Sequence, residues 1–167
     1  MKNILRTAAA VAALTLSATP AFAVPAIQNA TATARIIKPL SLTSTQNLDL
    51  GSITLVGSGS TTVGINQSNV LSCPAGSVTC SGTTSVAIYR VTGTNNQSVN
   101  VSAPDFELVN QADTSKKLML DVDAPLTVSL GNSGSTGTPF NIGGAVTVDG
   151  TTVEGTYVGT FAVTVNY

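Results

Sequence analysis

The chain has 167 residues, a formal net charge of −1 and only 9% charged residues, and it contains neither His nor Trp. Without His it can build no Ser-His-Asp triad, no Cys-His dyad and no His-ligated zinc or haem. Sparse, nearly balanced charge argues against nucleic acid as a partner, which demands a dense Lys/Arg footprint, and 43% hydrophobic residues argue against disorder.

Residues 1–23 read as a secretory signal peptide. Lys2 and Arg6 supply the positive start, Ala8 to Leu16 the short apolar run, and Ala21-Phe22-Ala23 the small-x-small cleavage pattern, so a mature chain is expected to begin at Val24. A membrane anchor is the rival reading. It fails on length, because spanning takes ~20 apolar residues, and this run breaks at Thr15, Ser17 and Pro20. No Cys follows the cleavage site, which argues against a lipoprotein. Removing Lys2 and Arg6 leaves five basic against eight acidic side chains. No later run is long enough to span a bilayer, so no membrane insertion is expected.

Beyond the leader, apolar residues alternate in short runs bounded by Gly, Pro, Asn, Asp and Ser, the pattern of strands rather than helices. Ala30, Ala32, Ala34 and Ile36 alternate ahead of Pro39, and Leu40 and Leu42 continue the run. Leu48 and Leu50 follow a polar break; Ile53 and Leu55 lead into the turn Gly57-Ser58-Gly59-Ser60. Residues 66–84 are polar and read as a long loop or weak hairpin.

That loop holds the only two cysteines, Cys73 and Cys80, and in an exported chain a disulfide is the expected state. Six intervening residues do not match the Cys-x-x-Cys redox spacing, and two thiolates alone make a poor zinc site. Because it closes so short a loop, the bridge is expected to act as a local staple.

Strand signals then strengthen. Ala87, Tyr89 and Val91 share a face; Asn95-Asn96 mark a turn; Val99, Val101 and Ala103 end at Pro104. Leu118, Leu120 and Val122 alternate up to Pro125, Leu126, Val128 and Leu130 follow, and Gly131-Asn132-Ser133-Gly134 form a turn. Val146 and Val148 run into Asp149-Gly150, a hairpin-turn pair. The last segment alternates most cleanly, with Tyr157, Phe161, Val163, Val165 and Tyr167 on one face. Many short strands separated by turns predict an all-β sandwich or barrel. Asn100-Val101-Ser102-Ala103-Pro104 faintly echoes Asp121-Val122-Asp123-Ala124-Pro125, and each reads as a strand ending at a Pro. The final segment is an oddity. It is apolar and carries no Lys, Pro or other edge protection between Tyr157 and Tyr167. Either an earlier strand covers both its sides, or its edge is meant for a partner strand.

Ala87-Ile88-Tyr89-Arg90-Val91-Thr92-Gly93 with Val99-Asn100-Val101, Ile142 to Val148, and the closing Gly155 to Tyr167 together resemble the bacterial domain-of-unknown-function family numbered 4402. Ala34 to Leu40 with Leu48-Asp49-Leu50-Gly51 resemble its opening strand. That family is similar in turn to spore-coat-protein-U-like proteins and to pilin and adhesin domains of chaperone–usher systems. The resemblance implies an immunoglobulin-like antiparallel β-sandwich lacking its final strand. It also implies a periplasmic chaperone and usher as partners, a homo- or hetero-polymer of pilin-like subunits, and assembly by donor-strand exchange. It divides the chain into a leader (1–23), an N-terminal segment that serves as donor or first strand (24–36), and the sandwich (37–167). Tyr157, Gly159, Phe161, Val163, Val165 and Tyr167 would wall the acceptor groove, with the Tyr167 carboxylate meeting a chaperone's basic residues. Pilins usually place that Tyr second from the end; here it is last. The donor would be Ala30, Ala32, Ala34 and Ile36, or the protein does not polymerise in that way.

Other candidates weigh less. Asp105, Glu107, Asp113, Asp121 and Asp123 cluster in sequence, but without EF-hand or RTX spacing they read as solvated strand faces rather than a Ca²⁺ site or a glycosidase pair. Gly131 to Gly137 lacks the Lys-Ser/Thr of a phosphate loop. Sequons at Asn29, Asn66, Asn96 and Asn100 are what chance predicts in so Asn-, Ser- and Thr-rich a chain. Tyr157 and Tyr167 at strand period read first as packing residues. The expectation is therefore an exported, non-enzymatic subunit of a surface pilus, fimbria or coat, passing through the periplasm, with no metal or other cofactor. The alternative is a monomeric secreted or periplasmic adhesin or binding module, closed by its own N-terminal segment.

Overall fold

A computed structural model describes residues 25–132, 134 and 136–167. The segment expected to be a signal peptide, with its expected cleavage residues Ala21, Ala23 and Val24, lies outside the described residues, as do Ser133 and Ser135 of the Gly131–Gly137 turn. The chain divides into two units at Arg35 and Ile36. The first unit's described residues, 25–35, contain no strand and are exposed.

The second unit is all-β and antiparallel, as expected. Its strands are β1 (Ser41–Gln46), β2 (Ser52–Leu55), β3 (Thr61–Ile65), β4 (Leu71–Ser72), β5 (Val78–Ser81), β6 (Ala87–Thr92), β7 (Ser98–Ser102), β8 (Phe106–Asn110), β9 (Lys117–Asp123), β10 (Thr127–Ser129), β11 (Thr138–Val148), β12 (Tyr157–Val158) and β13 (Thr164–Asn166). One sheet runs β1-β6-β11-β9-β8-β12, with β3 on β11 and β4 on β3; a second runs β10-β7-β13; β2 and β5 form a ribbon.

The second sheet continues the first across a shared kink. Val109 of β8 lies opposite Lys117 of β9 and Val158 of β12, while Asn100 of β7 lies opposite Thr127 of β10 and Asn166 of β13. Three long strands thus run side by side, each broken at the same level. The breaks fall at Ala103-Pro104, at Ala124-Pro125 and at residues 159–163. Proline supplies no ladder N–H, which is why the two echoing Ala-Pro steps end pairing at one place. The Val122 N–H donates to Asp105 Oδ1 (2.7 Å), and the Val101 N–H reaches across to the Leu126 carbonyl (3.0 Å).

β11 joins the two layers. Its first half pairs β6, and its second half pairs β9 on one edge and β3 on the other. The core lies between the layers in two clusters. Val91, Val99, Leu130, Phe140 and Ile142 form one; Val63, Val78, Leu120, Val146 and Val148 form the other, beneath the β2–β5 ribbon.

Several expectations are corrected. The alternating run Ala30 to Ile36 is not a strand: residues 25–40 have no strand, and Ile36 is 92% exposed. Alternation alone does not make a strand without an edge to pair with. β3 and β8 lie where no strand was expected. Val63, Gly64 and Ile65 are all buried, so β3 has no alternating signature. In β8, Phe106 and Leu108 do alternate with Asp105 and Glu107, so the strand signal is present there but short. The 66–84 segment contains β4 and β5. Leu126 does not share the buried face of Val128 and Leu130; it sits on the kink, 84% exposed. Asp149-Gly150 does not close a hairpin, because the next strand pairs β8 rather than β11. The Asp149 carboxylate instead accepts from the Thr151 N–H (2.8 Å) and hydroxyl (2.7 Å), turning the chain away. The closing segment is two short strands rather than one.

Candidate partner-strand groove

Among the described residues, both outer strands of the sandwich are paired on one side only. β1 pairs β6, and Asp49 bridges Ser85; β2 pairs β5. On the other layer, β12 pairs β8 and β13 pairs β7. Between these edges lies a groove of about 1130 Å³, walled by residues 46–55 on one side and 152–161 on the other. Its floor includes Tyr89, Phe106, Leu108, Leu118, Leu120 and Val146. Of these, Phe106, Leu108 and Leu118 are only half-buried, as are Leu48, Leu50 and Ile53 on the first wall.

The closing segment keeps its alternation across its break. Tyr157, Phe161, Val163 and Val165 are half-buried between exposed neighbours. Phe161 stacks on Phe106 (ring centroids 5.0 Å apart) and meets Tyr89 edge-on (6.4 Å), linking the two layers at the inner end of the groove. Gly159 is where this segment comes nearest β8: a Cβ there would lie 2.7 Å from a Phe106 ring carbon and 2.8 Å from the Glu107 carbonyl oxygen. Any side chain would push the wall outward. The Tyr157 hydroxyl donates to the Val153 carbonyl (2.7 Å) and stiffens the wall locally.

Of the expected wall residues, Tyr157, Gly159 and Phe161 line the groove, whereas Val163, Val165 and Tyr167 lie beyond it. Val163 and Val165 pack on the core cluster of β6, β7 and β11. Tyr167 closes the far end. Its hydroxyl donates to the Lys38 carbonyl (2.7 Å) and accepts from the Thr94 N–H (2.7 Å). The phenol fits there because residue 93 is Gly: a Cβ would lie 2.6 Å from the Tyr167 oxygen and 2.7 Å from Leu40 Cδ2.

Cys73 and Cys80 form the expected disulfide. It is local in sequence but not in the fold. Cys80 lies on β5, which pairs β2 and so backs the first wall; Cys73 follows β4, which pairs β3 in the opposite layer. The bridge therefore ties a groove wall to the other layer.

Asn110 escaped the sequence reading. It is fully buried, its Nδ2 donates to the Glu154 carbonyl (3.0 Å), and its Oδ1 accepts from the Ala112 (2.9 Å) and Asp113 (3.2 Å) N–H groups. It holds the start of the second wall to the β8–β9 turn. The following Gln-Ala-Asp-Thr-Ser run was its only sequence trace, as a turn signal.

The acidic residues do not converge. Asp105 bonds the Val122 N–H, Asp123 accepts from the Gln67 N–H and side-chain amide, and Glu107 pairs Lys117. Asp113 accepts from the Ser115 hydroxyl and N–H, which hold its carboxyl below the usual carboxylate range. Among the described residues, no three His, Cys, Asp or Glu side chains are grouped to hold a metal. No described helix is long and apolar enough to cross a membrane.

Fold and site together define an antiparallel β-sandwich with an apolar-floored groove between two edges that no described strand pairs. The chain belongs to the family described as Domain of unknown function (DUF4402), whose model matches residues 40–167. No curated protein and no solved structure matches the chain significantly.

Proposed function

We propose that this protein is an exported, non-enzymatic structural subunit of a surface pilus, fimbria or coat, assembled by β-strand complementation. The groove carries the reading. Its floor is apolar and in part only half-buried, and both walls present strand edges with no described partner. A strand entering it gains main-chain hydrogen bonds from an edge and side-chain burial from the floor. Full burial of a large aliphatic or aromatic side chain is worth ~1.5–3 kcal/mol, so finishing six half-buried ones supplies on the order of 5 kcal/mol. The occupant we assign is the segment Ala30, Ala32, Ala34 and Ile36 of a second copy, which is exposed and outside any strand. A periplasmic chaperone and usher would protect the groove before assembly.

The test is the oligomeric state of the full sequence expressed for export, collected from the periplasm and measured by size exclusion with light scattering. It is compared with a variant lacking residues 24–36. Heat-resistant polymers from the full chain, lost on deletion, support the reading. A stable monomer that the deletion unfolds replaces it with a self-closed adhesin or binding module.

A further inference from the structure

We propose that the Tyr167 phenol sets the direction of complementation: by clamping the chain at Lys38 it keeps residues 30–36 out of their own groove and reserves that groove for the same segment of a second copy. This rests on the strand-complementation reading above.

The clamp uses both main-chain groups of Lys38. Its carbonyl accepts from the Tyr167 hydroxyl, and its N–H donates to Thr94 Oγ1 (2.7 Å). Pro39 follows, and a residue before proline is held extended. The chain therefore enters the sandwich at a fixed point, and any reversal must be made upstream of it.

Reach then decides the matter. The open stretch of the groove begins at Gln46. From Lys38 to Gln46 is ~26 Å of extended chain at ~3.3 Å per residue. A segment turning back at Ile37 and running antiparallel along β1 would bring Ala30 beside Gln46. Ala32, Ala34 and Ile36 would lie beside Ser44, Leu42 and Leu40, outside the open stretch. Filling the open stretch in cis would take residues upstream of Ala30. The same segment of another copy carries no such tether and can set Ala30 to Ile36 directly against residues 46–55 and 157–161.

The experiment uses the full exported chain carrying Ala32→Cys and Thr160→Cys, with the native disulfide intact. Isotopically heavy and light preparations are mixed in denaturant, refolded together and joined with a short thiol cross-linker. Mass spectrometry then sorts the links between positions 32 and 160. Heavy–light links at the frequency of random mixing are expected. Same-label links alone, on a monomer, overturn the proposal while leaving strand complementation standing. No link of either kind removes strand complementation by this segment, and the proposal with it. Tyr167→Phe and, separately, Thr94→Val release Lys38, and each is expected to raise the ratio of same-label to heavy–light links roughly fivefold above its random-mixing value, the effect of about one net hydrogen bond. An unchanged ratio in both variants overturns the role given to the clamp.

Discussion

The middle of the sandwich and its open side are made from the same kinds of residue but are finished to different degrees. Around β11, Val63, Val91, Val99, Leu120 and Ile142 are essentially removed from water. Along the groove, Leu48, Leu50, Ile53, Phe106, Leu108 and Leu118 are apolar yet only half-covered. Where two layers face each other squarely, burial is complete. Where the two edge strands leave a gap, the same chemistry is left waiting for one more strand.

The largest expected effect breaks this contrast directly. Ile142→Ala removes atoms from a site with no slack and should cost about 2–5 kcal/mol in denaturant unfolding of the isolated chain. Leu108→Ala should cost the isolated chain much less, because water already reaches that side chain, but should weaken assembly strongly. Equal costs in the isolated chain would mean the groove is as well packed as the core.

Next comes the disulfide. Opening Cys73–Cys80 by substituting both with Ser is expected to cost about 2–3 kcal/mol, the chain-entropy value for so short a loop. The bridge ties the β2 wall to the opposite layer, so the loss should fall on the groove side. Hydrogen exchange should quicken at Ile53 and Cys80 partners in the β2–β5 ribbon before it does at Ile142.

Asn110→Ala follows, at about 1–3 kcal/mol, since it removes a fully buried side chain and its hydrogen bonds to the Ala112, Asp113 and Glu154 main chain. Its distinguishing readout is location: the 152–155 stretch should loosen, while β6 and β11 keep their protection.

The legible parts of the molecule are those where one physical signal governs. Period-two alternation marked β6, β7, β9 and the half-buried face of the closing segment, because each packs one face against the other layer. It failed for β3, where Val63, Gly64 and Ile65 are buried on both faces; at β8 the alternation of Phe106 and Leu108 with Asp105 and Glu107 is present but spans only a few residues. It misled at Ala30 to Ile36, where the pattern is present but no strand forms. The closing segment was legible as a wall, while the groove's other wall, residues 46–55, was not. That wall is half strand and half loop, and only the fold sets it opposite Tyr157 to Phe161. The Tyr167 clamp was equally hidden, since it joins residues 38, 94 and 167.

The smallest expected effect lies at the join between the two regions. Asp149 turns the chain from β11 in the dry core toward the groove wall at Thr152. The Thr151 hydroxyl and N–H, with the Thr152 hydroxyl, hold its carboxyl below the usual carboxylate range. A carboxyl whose folded-state value is lowered lends stability above the unfolded value of about 3.9 and loses it as pH falls through the lower folded value. Acid should therefore loosen this turn before it touches the core. The Asp149 carboxyl carbon, followed by NMR, should titrate below an unfolded Asp. As it does so, exchange at the Thr151 N–H should accelerate while Leu120 and Ile142 stay protected. Asp149→Ala should abolish that local pH step and leave the core's acid unfolding otherwise unchanged. A titration at the ordinary Asp value would show that the turn does not depend on the charge, and that the core and the groove wall respond to acid as one unit.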